Sequence, residues 1–336
     1  MTNTYKRHSP GFFGRLLRSI ISVFILSTLV LGISYSVKQL STLNSKKVVN
    51  MSMNLASRFG MDNSKIGEVA GALIDRSNSV TINDTPTSTE SHKTISKEFT
   101  FAVIADSHDD IPNLTKALDM AKKENAQAVF FLGDYTNWGD KDSLQKMKST
   151  MDASGLTYYS IPGDHDLAAS VQAGDTAGLT NYKQVFGDNY HSITLKGKKV
   201  VMLDNSANYT TVSSTLINWF KSEVINADFV MLSQPLYHPT INLVMGVVHG
   251  NTVPDVKAQA EELLSYIRTS SVKAIIAGDQ HNFSENTDPK KSTLQHIVTG
   301  AVVGNDIELQ NPQKPRFTLI DINNDGSYTV RDTPLE

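Results

Sequence analysis

Asp106 and His108 close the stretch Phe-Thr-Phe-Ala-Val-Ile-Ala-Asp-Ser-His at 99–108, where seven uncharged residues rich in aromatic and β-branched types run into two polar groups. In extended chain, side chains two apart face the same way, so this carboxylate and this imidazole could share one cation. Taken alone, Asp-x-His reads equally as a helix-capping Asp beside an exposed His. Gly-Asp recurs with Asp at 134, 140, 164, 175, 188 and 279, but only Asp134, Asp164 and Asp279 follow strand-like runs, at 129–132, 158–161 and 274–277. A glycine before each Asp lets the backbone turn sharply and approach an ion closely. His108, His165, His238 and His281 also fall just past strand-like runs. Four Asp and four His with no Cys in the chain match two adjacent divalent cations held by mixed oxygen and nitrogen ligands.

Such groups need elements that deliver them to one edge. Strand-like runs at 99–105, 128–132, 157–161, 192–194, 199–203, 229–233 and 273–277 alternate with helical spacing near 114–121, 141–153, 213–225 and 256–267. This predicts an α/β protein with strands buried between helices and ligands gathering at the strand ends. The runs at 294–298, 317–322 and 327–330 read as antiparallel additions, the last two joined by a turn at Asn323-Asn324-Asp325-Gly326. The loop at 239–254, with Val244, Met245, Val247 and Val248, either walls a cleft or packs on the core.

Charge is unevenly distributed. Eight of the 31 Lys and Arg precede Asp62, the first carboxylate, so an acidic body follows a basic leader, which argues against specific nucleic-acid binding. Residues 1–18 form a basic tail with Lys6, Arg7, Arg15 and Arg18, and residues 19–37 carry no charge. About 20 apolar residues span a bilayer as a helix. The expectation is a single-pass membrane anchor with the rest of the chain outside the cytoplasm. A cleaved signal peptide, with Gly32 and Ser34 as a poor cleavage site, would give a secreted protein instead. Residues 38–97 read as a juxtamembrane helical segment (Ile66, Val69, Ala70, Leu73, Ile74) and a Ser/Thr-rich linker, and residues 98–336 as the functional domain. Oligomeric state is not legible.

The series Asp106-Ser-His108, Gly133-Asp134, Gly163-Asp164-His165-Asp166, His238 and Gly278-Asp279-Gln280-His281 resembles the calcineurin-like metallophosphoesterases, whose blocks run Asp-x-His, Gly-Asp, Gly-Asn-His-Asp/Glu, His and Gly-His-x-His in that order. The resemblance implies a two-sheet β sandwich flanked by helices with two metals at one sheet edge, α+β in detail. Asp106, His108 and His281 would hold one metal, Asp134 would bridge, and Asp164, His238 and Asp279 would face the second. His165 would be the catalytic histidine, with Asp166 orienting it. The implied reaction is hydrolysis of a phosphomonoester or phosphodiester by a metal-bridging hydroxide, His165 assisting the leaving oxygen.

Two positions depart from the family pattern: Asp164 replaces an Asn and Asp279 replaces a metal-binding His. The added carboxylates make the second site harder and more anionic, which favours Mn²⁺, while Fe, Zn, Mg and Ca stay open. The same departures support an alternative, a binding module that keeps the fold with impaired catalysis.

Overall fold

β1 (Lys97–Ile104) shows why these strands read as unbroken apolar runs: its alternate residues serve two different cores. Phe101 and Val103 face one cluster with Phe130, Met202, Phe229 and Ile276, whereas Ala102 and Ile104 face another with Leu114, Leu118, Leu144 and Met147. Leu203 and Val230, next to Met202 and Phe229, turn away into a third cluster with Phe220, Leu263 and Leu264. Two sheets therefore pack face to face with helices on both outer faces. The computed structural model describes residues 95–304 and 313–335; the tail, the apolar stretch and the segment preceding residue 95 lie outside the described residues. No helix among the described residues is long and apolar enough to cross a membrane.

The first sheet runs β13 (Tyr328–Pro334), β12 (Arg316–Asn323), β1, β2 (Val129–Phe131), β3 (Tyr158–Ser160), with β1, β2 and β3 parallel. The second runs β10 (Ser284–Thr287), β11 (Gln295–Val298), β9 (Ala274–Ala277), β6 (Phe229–Leu232), β5 (Lys198–Leu203), β4 (His191–Leu195), with β5, β6, β9 and β11 parallel. The stretch read as antiparallel at 294–298 thus lies parallel to β9 and antiparallel only to β10, a short half-exposed strand without an apolar signature. β7 (Val247–Val248) and β8 (Asn251–Thr252) form a small hairpin. Val244, Met245, Val247 and Val248 are all buried, so this loop packs on the core.

The covering helices are α1 (Ile111–Lys123), α2 (Lys141–Ala153), α3 (Ala168–Gln172), α4 (Thr180–Phe186), α5 (Ser214–Glu223) and α6 (Pro254–Thr269). Their starts explain some of the surplus aspartates. Asp140 caps α2 by accepting from the Ser143 amide, and Asp175 accepts from the Ala177 and Thr180 amides in the turn before α4. Loops leaving the parallel strands β1, β2, β3, β5, β6 and β9 supply the groups described next.

Candidate metal centre

β1 ends at Ile104, and the chain then leaves extended geometry: Asp106 has φ 56° and His108 φ 43°. The two side chains therefore do not converge by strand alternation, as the sequence implied. Backbone pairing holds them instead, because the amides of Asp106, Ser107, His108 and Asp109 donate to the carbonyls of Gly133, Asp134, Asp134 and Tyr135. Asp134 (φ 52°), Asp279 (φ 71°) and His281 (φ 52°) share the left-handed backbone. Non-glycine residues pay about 1–2 kcal/mol each for that conformation, and five of them at one edge mark strain concentrated at a site.

Two glycines make the close approach feasible. A Cβ at Gly163 would stand 2.0 Å from Asp134 Oδ1, and one at Gly133 (φ 100°) would stand 2.3 Å from the Gly163 amide nitrogen. The β2 and β3 loops thus touch backbone to backbone.

Two ligand groups result. Asp106, His108 and His281 are all buried and offer atoms within 4.8 Å of one another; buried Asp134 and half-buried Asp164 and Asp279 likewise offer atoms within 4.8 Å of one another. His108 Nε2 and His281 Nε2 face each other at 3.1 Å, and His281 Nε2 lies 3.8 Å from Asp106 Oδ1. The Asp279 amide donates to Asp106 Oδ1 at 3.0 Å, tying the second sheet to the first within the site.

The electrostatics call for cations. Burial pushes the Asp106 carboxyl up to about 7, with Asp164 adding repulsion, and burial together with neighbouring carboxylates raises Asp134 and Asp279 well above the usual range. Burial and the neighbouring imidazoles hold His108 down near 2, so it stays a neutral donor of electron pairs. Among the described residues none of Asp106, Asp134, Asp164 and Asp279 is paired with Lys or Arg, and the buried Nδ1 of His108 has no hydrogen-bond partner. Clustered acids without a protein cation, beside the neutral His108 imidazole and His281, form a donor set that fits two divalent ions.

Two assigned positions come out differently. His238 lies outside both groups: its Nδ1 accepts from the Ile241 amide at 2.8 Å and the Thr240 amide at 3.2 Å, while Nε2 meets Ser284 Oγ at 3.1 Å. One nitrogen is spent on its own loop and the other on β10. Asp166 does not touch the His165 ring; fully buried, it accepts from the amides of Gly163, Tyr135 and Thr136 and from Thr136 Oγ1, pinning the two Gly-Asp loops together. His165 is steadied by others. Its Nδ1 meets the Asn137 carbonyl at 3.0 Å, its amide donates to Asp134 Oδ1 at 3.1 Å, and its ring lies edge-on to His108 at 4.8 Å.

Sequence reading missed two amides beside the second group. Gln234 Nε2 donates to Asn208 Oδ1 at 2.6 Å, and Asn208 Nδ2 donates to Asp164 Oδ2 at 2.5 Å. Gln234 follows the end of β6 by two residues, the offset by which Asp106 follows β1 and Asp279 follows β9. That offset is a usable signal in the sequence. Nothing in the sequence marks Asn208.

A family model described as calcineurin-like phosphoesterase matches residues 99–283. A dimetal phosphatase from Danio rerio is similar in structure with a TM-score of 0.51 and 16% identity, covering 72% of this chain and 98% of that one. A purple acid phosphatase from yellow lupin (Lupinus luteus) seeds superposes with a TM-score of 0.48 and 11% identity, covering 72% of this chain and 53% of that one. No curated protein matches this sequence.

Proposed function

Because this chain belongs to the calcineurin-like phosphoesterase family, we propose that it is a metal-dependent hydrolase of phosphoric esters, held at a membrane through residues 19–37 with its domain (98–336) outside the cytoplasm. One observation carries the reading: a group of one Asp and two His and a group of three Asp, with no Lys or Arg partner to these acids among the described residues, meet where the parallel strands of both sheets end.

Asp106, His108 and His281 would hold one divalent ion and Asp164 and Asp279 the second, with Asp134 between them. Bound there, two such ions supply Lewis acidity and a water of lowered pKa. In hydrolysis a water oxygen bonds to phosphorus, the bond from phosphorus to the alcohol oxygen breaks, and that oxygen takes up a proton. His165 is placed to deliver it. The Asn137 carbonyl can only accept, so His165 Nδ1 carries a hydrogen and Nε2 is the nitrogen that exchanges protons. Asp166 keeps the loops of Asp134 and His165 in register and so acts as a positioning residue. Three carboxylates and no imidazole around the second ion favour Mn²⁺ there.

The test is hydrolysis of a panel of phosphomonoesters and phosphodiesters by the purified full chain, alongside metal analysis. Turnover should need a divalent ion, stop with a chelator and return best with Mn²⁺. The carboxylate-rich second site also supports the alternative of a binding module, and two bound ions with no turnover on any ester would decide for it. Protease added to intact cells should remove the domain; full protection would refute the placement outside the cytoplasm.

A further inference from the structure

Next to the metal centre lies a cavity of about 330 Å³, within the size range of small-molecule sites. The cavity and the centre share two walls. Leu167 lines the cavity and closes the 3₁₀ turn that His165 opens, and Ser206 lines it two residues before Asn208, whose amide holds Asp164. Gln234 Nε2 spans both, donating to the Ser206 carbonyl and to Asn208 Oδ1. The cavity is thus linked to the second ligand group through two hydrogen bonds, Gln234 to Asn208 and Asn208 to Asp164.

The lining is mixed, and its polar part includes Lys183, whose charge acts on Asp204. Leu167, Leu216 and Trp219 provide apolar walls, and Tyr190, 39% exposed, stands edge-on to Trp219 at 4.6 Å. Two large aromatic rings at the mouth of a cavity offer face and edge to a third ring. Against them stands one buried acid, Asp204, whose Oδ1 accepts from the Ser206 amide and Oγ and whose Oδ2 accepts from Asn189 Nδ2. A carboxylate has about four lone-pair sites, so three bonds leave room for one more donor.

We propose that this cavity seats the alcohol part of the ester, and that this alcohol carries a planar ring with a hydrogen-bond donor on its edge. The inference rests on the phosphoesterase reading and names the class of substrate. The ring packs between Leu216 and Trp219, and its donor meets Asp204.

The test uses the full chain with Mn²⁺ and three esters of primary alcohols: adenosine 5′-monophosphate, 2-phenylethyl phosphate and ethyl phosphate, each also as its methyl diester. kcat/KM should fall in that order, by roughly tenfold or more between first and last, the scale on which a filled pocket discriminates. Trp219→Ala removes a wall, and Thr215→Trp adds bulk at an exposed position of the rim; each should compress the ratio toward one. Equilibrium dialysis of adenosine against metal-free protein reads the pocket without turnover, and both variants should weaken it about tenfold. Circular dichroism identifies a variant that has lost its fold, and the other then carries the comparison. Equal kcat/KM for all three esters, an unchanged ratio in the folded variants, or no bound adenosine would overturn the proposal. Were no ester hydrolysed at all, the phosphoesterase reading would fall on its own, and dialysis would still decide the pocket.

Discussion

Two buried acid clusters in this domain shift their carboxyls in opposite directions. At the end of β10, Asp288 accepts from Arg268 Nε and Nη2, from the amides of Lys290 and Lys291 and from His296 Nε2. Burial pushes its carboxyl up, but Arg268 and His296 more than offset this and hold it at about 2. At the metal centre burial and the repulsion of Asp164 outweigh the Asp279 amide and the His165 ring, and Asp106 rises to about 7. Both clusters are buried and both are acidic; only one contains its own cation. A cluster whose carboxylate the chain pairs with its own cation is structural, and one that it leaves without a cation is prepared for ions from outside.

The largest expected effect breaks the metal centre. Asp134→Asn should lower turnover by about 10³-fold, roughly 4 kcal/mol in barrier, because an amide cannot offset charge on two ions. The same substitution should raise the melting temperature of the metal-free protein by removing one carboxylate from the repulsion. If the metal-free variant melts lower than wild type, the contrast between the clusters is wrong.

Arg268→Leu should do the reverse, leaving metal stoichiometry at two and costing about 3 kcal/mol of stability, since it strands Asp288 without its partner. Urea unfolding reads the cost. A change below about 1 kcal/mol would mean that the amides and His296 suffice.

The pH dependence of metal-free stability sharpens the comparison. Asp106, raised to about 7 by burial from an ordinary 3.8, contributes stability that is complete below 3.8 and lost as pH climbs through 7. Asp288 and His296 are lowered, so their contributions are present above their ordinary values of 3.8 and 6.5 and lost as pH falls. Urea midpoints without metal should therefore peak in mildly acid solution. Saturating Mn²⁺ should abolish the fall on the alkaline side, because cations take the place of protons. A decline that persists with metal would show that other groups cause it.

The smallest effects separate two neighbours on one loop. Gln234→Leu should loosen the second ion by about tenfold through Asn208 and Asp164, whereas His238→Ala should leave both ions bound within a factor of about two. Calorimetric titration with Mn²⁺ distinguishes them. Loss of one equivalent in His238→Ala would restore His238 as a ligand.

Much of this was written locally. Apolar runs such as 99–105 and 274–277 announce strands buried on both faces, because a strand covered on each side needs apolar residues at every position. Composition likewise limited the ligands to His, carboxylate and amide, since the chain has no Cys. The order of the Gly-Asp and His blocks located six residues that the fold brings together: Asp106, His108, Asp134, Asp164, Asp279 and His281. Those inferences concern residues within a few positions of a strand end, where local pattern and local geometry coincide.

Tertiary packing decided the rest. Asp166 finds its partners 30 and 31 residues away, Gln234 reaches Asn208 across 26, and Asn208 reaches Asp164 across 44. Periodicity encodes which face of an element is buried, but the partner of a polar side chain depends on which loops the packed sheets set side by side. Asp106 and Asp288 make the point most simply, for the sequence shows two aspartates near apolar runs. Only the fold places Arg268 against one and leaves the other among carboxylates, and that difference in neighbours moves the two carboxyls in opposite directions.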